Sequence, residues 1–212
     1  MPFIYRITWL ACRLFFLIYF RWRIFNEERV TRTGSVILAA NHASFLDPPM
    51  IGSAVRRPIN FLARRSLFRF PLFGAYLRAL NSVPVDRDGA GARGLKMILS
   101  RLLNGGGIIL FPEGTRSSDG ELQPARSGVG LTVIKSEAPV VPVRIFGTFA
   151  AWNRRQLIPR PHRITIKFGN PMYFADLREE AKSCPKKRLR EIYQEVADRI
   201  MAEITQLKPE RE

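Results

Sequence analysis

The chain predicts an α/β fold, a mostly parallel sheet flanked by helices, and three observations carry that expectation. From Gly34 onward, short apolar runs alternate with stretches of helical periodicity. Val36–Ala40 has no polar alternation, as a strand covered on both faces would. Near the C-terminus, Leu189, Ile192, Tyr193, Val196, Ile200, Met201, Ile204 and Leu207 recur on one helical face with charges opposite.

The elements follow in order. Residues 1–25 read as a basic, aromatic helix with no acid, four arginines (Arg6, Arg13, Arg21, Arg23) and nine aromatics. Arg13 splits the apolar run, so neither half reaches the ~18–20 residues of a spanning helix. No small-residue cleavage site follows, which argues against a signal peptide. A helix lying in a membrane interface fits better, aromatics at the headgroup boundary and arginines on lipid phosphates, with a core helix bearing a basic edge as the alternative. Strands are expected at 35–40, 58–62, 82–85, 107–111, 140–146 and 163–168, and helices at 47–55, 71–80, 92–103, 128–136 and 186–207. No internal repeat or low-complexity linker divides the chain, so the expected organisation is a 1–25 interface helix and one domain over 26–212.

Composition narrows the function classes. The 212 residues are 46% hydrophobic, enough for one domain with a real core. Net charge is +16, from 34 basic against 18 acidic residues, a surface that seeks phosphate on nucleic acid, anionic lipid or a small molecule. Cys12 and Cys184 form neither a metal-ligand spacing nor a disulfide framework, which points to a reducing compartment. His42 and His162 are the two histidines available for chemistry.

Val36–Pro48, VILAANHASFLDP, is the stretch with most chemical content. A buried strand ends in Asn41-His42, and Asp47-Pro48 opens a helix. A strand running into a polar turn presents its last side chains where α/β proteins place ligands. The five-residue spacing lets the Asp47 carboxylate fold back on the His42 ring, orienting one nitrogen and leaving the other as a base. From the pair alone, a strand-capping His with a helix-capping Asp is an equal reading.

Two glycine motifs compete in the middle. Gly89–Gly94, GAGARG, has the glycine pattern of a dinucleotide fold, but the strand before it is short, carries Pro84, and is separated from it by Asp86-Arg87-Asp88. In Phe111-Pro112-Glu113-Gly114-Thr115-Arg116-Ser117, an apolar strand delivers an acid, a glycine, a hydroxyl and an arginine within one turn. Gly114 admits a close backbone approach and Arg116 offers a bidentate fork for phosphate.

Together these residues resemble a family. Asn41-His42-x-Ser44-x-x-Asp47-Pro48 and Phe111–Arg116 are similar to the first and third signature blocks of the 1-acylglycerol-3-phosphate acyltransferases. Arg64-Arg65-Ser66-Leu67 with Pro71, Gly74 and Val85-Asp86-Arg87 resembles the second block, and Ala138–Val143 the fourth. The blocks occur in order over about half the chain. The resemblance implies that His42 is the base and Asp47 its partner, and that Arg87 and Arg116 take the acceptor phosphate. It implies that Glu113, Gly114 and Thr115 shape the site. Many members carry a Phe-Lys pair before a glycine; Ala125-Arg126-Ser127-Gly128 lacks the aromatic and keeps the charge in Arg126.

The chemistry implied is transfer of a fatty acyl group from acyl-CoA or acyl carrier protein to the sn-2 hydroxyl of lysophosphatidate, giving phosphatidate. A thioester is already activated, so the reaction needs no metal, cofactor or covalent intermediate; it needs a base, and donors for an oxyanion, expected in the Gly114 turn. Another lysolipid would use the same pair. The expected partners are an anionic lipid surface, the lysophospholipid and the acyl thioester, at the cytoplasmic face of a membrane. The rival from another class is a nucleic-acid binder using Arg56-Arg57, Arg64-Arg65 and Arg154-Arg155, which gives no role to Trp9, Phe15, Phe16, Tyr19, Phe20 and Trp22 in one basic helix. A hydrolase using Ser44 lacks any G-x-S-x-G, and Ser44 reads as a turn former.

Overall fold

The computed structural model describes residues 1–85 and 91–210. In chain order its helices are α1 (Phe3–Phe20), α2 (Asp47–Ala54), α3 (Pro71–Ala79), α4 (Gly91–Leu103), α5 (Ser127–Lys135), α6 (Thr148–Ala151), α7 (Ala175–Ser183) and α8 (Lys186–Gln206). Its strands are β1 (Arg23–Phe25), β2 (Val36–Ala40), β3 (Ile59–Arg64), β4 (Ser82–Val85), β5 (Gly107–Leu110), β6 (Val140–Phe146) and β7 (Thr165–Phe168). Among the described residues the strands form one sheet in the order β1-β7-β6-β2-β5-β3-β4, and β6–β7 is its one antiparallel pairing. The α/β expectation is borne out.

The central strand shows why its sequence has no polar alternation. Val36, Leu38 and Ala40 join the core that contains Phe16, Phe20, Met50 and Ile51 of α1 and α2. Ile37 and Ala39 join the opposite core, with Ile98 of α4, Val133 of α5 and Ile192, Val196 and Ile200 of α8. Side chains still alternate with period two, but both faces are buried, so every position is apolar. The predicted face of α8 lies on α5 closely enough that a Cβ on Gly130 would collide with the Tyr193 carbonyl. A helix pair this close requires glycine there.

Three elements went unpredicted. β1 is three residues long and pairs with β7 at the sheet edge, too short to show a period. α6 is a single turn, and α7 buries Leu177 alone, leaving almost no apolar stripe to read.

The N-terminal segment has two faces. Tyr5, Phe16 and Phe20 are buried, the Tyr5 hydroxyl accepts from Ile59 N at 3.0 Å, and Trp9 Nε1 donates to the Val55 carbonyl at 2.9 Å. Arg13, expected on lipid phosphate, donates instead to the Ser53 and Ala54 carbonyls at the end of α2, because those orphan acceptors lie beneath it. The outward face, Phe3, Ile4, Ile7, Leu10, Leu14, Leu17 and Ile18, is apolar and exposed. Phe3–Phe20 is long and apolar enough to cross a membrane, with only 17% of it buried. That composition suits association with a membrane, and the contacts to α2 hold the inner face on the domain. Residues 23–25, expected within the same interface segment, form β1 and belong to the sheet.

The two faces make opposite predictions. Phe20→Ala should cost roughly 3–5 kcal/mol in urea unfolding, since the ring is fully buried. Leu14→Asp with Ile18→Asp should leave stability within about 0.5 kcal/mol per site and reduce flotation with anionic vesicles. Unchanged flotation would mean that this face does not meet lipid.

Candidate active site

The site is built where β2 and β5 end side by side. Asn41 closes β2 by pairing its side chain with the Ile145 backbone in both directions, Nδ2 to O at 3.0 Å and N to Oδ1 at 2.8 Å. The side chain thus continues the sheet ladder while the backbone leaves it, which frees His42 to enter the turn. Ser44, fully buried, accepts from Leu46 N at 3.1 Å and donates to the Trp152 carbonyl at 2.5 Å, the turn-forming role its position suggests.

Asp47 is fully buried at the start of α2, and one of its oxygens collects three donors. Oδ2 lies 2.8 Å from His42 Nδ1 and accepts from Ala43 N and Ser44 N at 2.7 Å each. A carboxylate oxygen receiving two backbone N–H groups is an acceptor, so Nδ1 must carry the proton facing it. The neutral ring then holds its lone pair on Nε2, the form a general base needs. The ring lies flat on Phe111, centroids 3.9 Å apart at 16°, which fixes the direction of that lone pair.

The second loop is bolted to the first through Glu113, which is 2% exposed. Its Oε1 accepts from His42 N at 2.9 Å and its Oε2 from Gln123 N at 3.3 Å, while Ser117 N donates to the His42 carbonyl at 2.8 Å. Burial pushes the Glu113 carboxyl up to about 7, against the two backbone donors that hold it down and with Asp47 and Asp119 adding to the rise. Gly114 takes φ +70°, and a Cβ there would meet the Arg126 side chain at 2.9 Å, so Arg126 lies across the turn. The Gly114 N–H, expected among the oxyanion donors, bonds Phe111 O at 2.9 Å and closes the turn instead.

Arg116 reaches back over the first loop, its guanidinium carbon 3.5 Å from the centroid of the Phe45 ring. Its Nη1 is buried with no hydrogen-bond partner among the described residues. Burial and then the charges of Arg154 and Arg64 lower its pKa, and the Asp47 carboxylate offsets part of that. The fold therefore gathers His42, Asp47, Glu113, Gly114, Thr115, Arg116 and Arg126 at one sheet edge. Arg87, and Gly89-Ala90 of the Gly89–Gly94 motif, lie outside the described residues, and Gly91 opens α4.

Sequence reading missed two supports. Phe111 sits in the motif but had no assigned role beneath the histidine. Arg154, noted only as half of an arginine pair, donates to Thr115 Oγ1 at 3.0 Å and the Arg116 carbonyl at 2.6 Å. Two of the other arginines offered to nucleic acid are also engaged: Arg57 on the Thr31, Thr33, Gly34 and Gly105 carbonyls, Arg56 on Glu27.

Glu113 makes stability fall as pH rises. Its carboxyl keeps a proton in the folded state that the unfolded chain releases near 4.5, so that contribution is complete below about 4.5 and is lost as pH approaches about 7. Relative to Glu113→Gln, wild type should lose about 1.4 kcal/mol per pH unit across that window. Urea unfolding of both proteins at pH 5 and pH 7.5 measures it; parallel pH curves would mean that Glu113 ionises normally.

Comparison with known proteins agrees with this geometry. The family model described as Acyltransferase matches residues 21–146, more than half of the chain. The 1-acyl-sn-glycerol-3-phosphate acyltransferase of Cocos nucifera is 31% identical over 147 residues, 68% of this chain and 48% of that protein. The protein of the same name from Bacillus subtilis is 25% identical over 155 residues, covering 73% and 75%. The chain spans about half the length of the plant relatives it matches. The solved 1-acyl-sn-glycerophosphate (LPA) acyltransferase PlsC from Thermotoga maritima superposes with a TM-score of 0.73 at 26% identity, over 98% of this chain and 81% of that one. With the signature blocks, the sheet and the His–Asp turn all in agreement, the chain belongs to the 1-acyl-sn-glycerol-3-phosphate acyltransferase family.

Proposed function

We propose that this chain transfers a fatty acyl group from acyl-CoA or acyl carrier protein to the sn-2 hydroxyl of lysophosphatidate, giving phosphatidate, at the cytoplasmic face of a membrane. The observation that carries the reading is the His42 ring held by Asp47 through Nδ1, with no hydrogen bond to Nε2 among the described residues. Nε2 takes the proton of the acceptor hydroxyl as its oxygen attacks the thioester carbonyl. The buried Asp47 carboxylate stabilises the imidazolium that forms. Collapse of the tetrahedral intermediate breaks the carbon–sulfur bond, and the imidazolium returns the proton to the departing thiolate. The ester and the free thiol result, and the base is regenerated.

Arg116 is the residue we assign to the acceptor phosphate. Its buried, unpartnered Nη1 is a donor that a phosphate oxygen would satisfy, and stacking on Phe45 holds the planar fork in place. Arg87 and Arg126 are proposed as further cations for the same headgroup. Glu113, Gly114 and Thr115 position this turn: Glu113 ties it to His42, and Thr115 receives Arg154.

His42→Ala should lower kcat by ~10²–10⁴ while leaving the unfolding transition and vesicle binding in place. Retention of more than a tenth of wild-type activity would remove His42 from its role. Arg116→Lys keeps the charge and loses the fork, so kcat/KM for lysophosphatidate should fall about 10–100-fold. A monoacylglycerol acceptor, lacking the phosphate, should be far less affected. Equal losses on both acceptors would mean that Arg116 serves the fold or the acyl donor.

A further inference from the structure

The segment 152–163, joining α6 to β7, carries a surface that the proposed reaction does not use. Leu157 and Ile158 are adjacent, 96% and 73% exposed. They do not sit on a loose loop. Trp152 Nε1 donates to Gln156 O at 3.1 Å, Asn153 N to Gln156 Oε1 at 2.8 Å, and Arg160 N to Ala151 O at 2.8 Å. This closed, internally bonded turn holds two large apolar side chains out in water, area that folding has not buried.

Three further features bear on what would cover them. Arg155, Arg160 and Arg163 flank the pair, all exposed, and no acidic residue occurs between Glu137 and Asp176. The Tyr19 hydroxyl donates to the Pro159 carbonyl at 3.0 Å, tying the loop to the end of α1, beside the exposed Leu17 and Ile18. The loop also borders the site: the Trp152 carbonyl receives Ser44 Oγ, and the Trp152 ring lies 5.4 Å from that of Phe45. An apolar tip with cationic shoulders, continuous with an apolar helix face, complements an anionic bilayer: hydrocarbon for the tip, phosphates for the arginines.

We propose that loop 152–163 is a second membrane contact, in which Leu157 and Ile158 enter the acyl boundary and hold the His42 edge of the sheet against lipid. The proposal rests on the reading that the acceptor is a membrane lipid. The contact explains how an acceptor can reach His42 without leaving the bilayer: the site's edge meets the surface from which the acceptor comes.

The test uses the full chain with Cys12→Ser and Cys184→Ser, and Leu157→Cys labelled with a polarity-sensitive fluorophore. On phosphatidylglycerol-containing vesicles the emission should shift to the blue and rise several-fold. The same label at Leu103, 81% exposed at the opposite end of the sheet, should not respond. An unresponsive label at 157 on a protein that floats with the vesicles overturns the proposal. Separately, Leu157→Asp with Ile158→Asp should weaken vesicle binding about tenfold or more. It should lower kcat/KM on vesicle-borne lysophosphatidate to match, and leave turnover of a short-chain, monomeric lysophosphatidate with acyl-CoA within twofold. Unchanged vesicle binding, or equal losses on both acceptors, also overturns it. A loss confined to acyl carrier protein as donor would make the loop a carrier-docking surface instead. If wild type fails to acylate lysophosphatidate at all, the proposed activity falls, and the fluorescence result still decides the loop.

Discussion

One carboxylate oxygen organises this site. Asp47 Oδ2 receives the His42 ring and two backbone N–H groups within 2.8 Å, so a single buried charge sets the turn after β2, the tautomer of the base and the start of α2. A buried anion is costly unless hydrogen-bonded, and here the donors belong to the turn whose shape the reaction needs. The geometry of the proposed His–Asp dyad and the local fold are therefore the same set of bonds. Loosening the turn would remove donors from a fully buried charge, which makes the arrangement stiff.

Glu113 extends that logic across the sheet. Its carboxyl reaches the His42 backbone from the neighbouring strand and fastens the loop carrying Arg116 to the loop carrying the base. The spacing between Arg116, proposed for the phosphate, and His42, proposed as the base, is thereby set by short bonds between two adjacent parallel strands. Rigid placement of this kind supplies the orientation on which bimolecular transfer depends. The acid is held at a site where burial favours its protonated form, so it serves as a fastener more than as a charge.

The charge excess of the chain has two uses. Part of it is structural: Arg13, Arg57, Arg144 and Arg178 donate to backbone carbonyls at helix ends and loops. These arginines saturate acceptors that helix ends leave orphaned, and they are not available to a phosphate surface. The rest stays exposed, as at Arg155, Arg160 and Arg163, close to apolar groups that the fold leaves outside. A net charge alone does not distinguish these uses, since both need the same residue type.

The sequence by itself determined the layer architecture and the two loops that matter. Apolar runs such as Val36–Ala40 and the periodic face of α8 record burial directly, because each side chain must match the medium it meets. The pairing of His42 and Asp47 was legible as one of two equal readings, because five residues around a turn let the carboxylate fold back on the ring. It also favoured a membrane helix at the N-terminus. Only the tertiary structure decided which face of that helix meets the domain, since Arg13, Phe16 and Phe20 are apolar or basic like their outward neighbours. Only the tertiary structure showed Phe111 under the imidazole, Glu113 against the His42 backbone and Arg154 on the Arg116 turn. Those contacts join residues 38 to 71 positions apart in the chain, and no local pattern encodes a partner at that distance. β1 and α7 escaped for a related reason: an edge strand of three residues and a helix burying one side chain draw their stability from neighbours, which leaves no period in their own sequence.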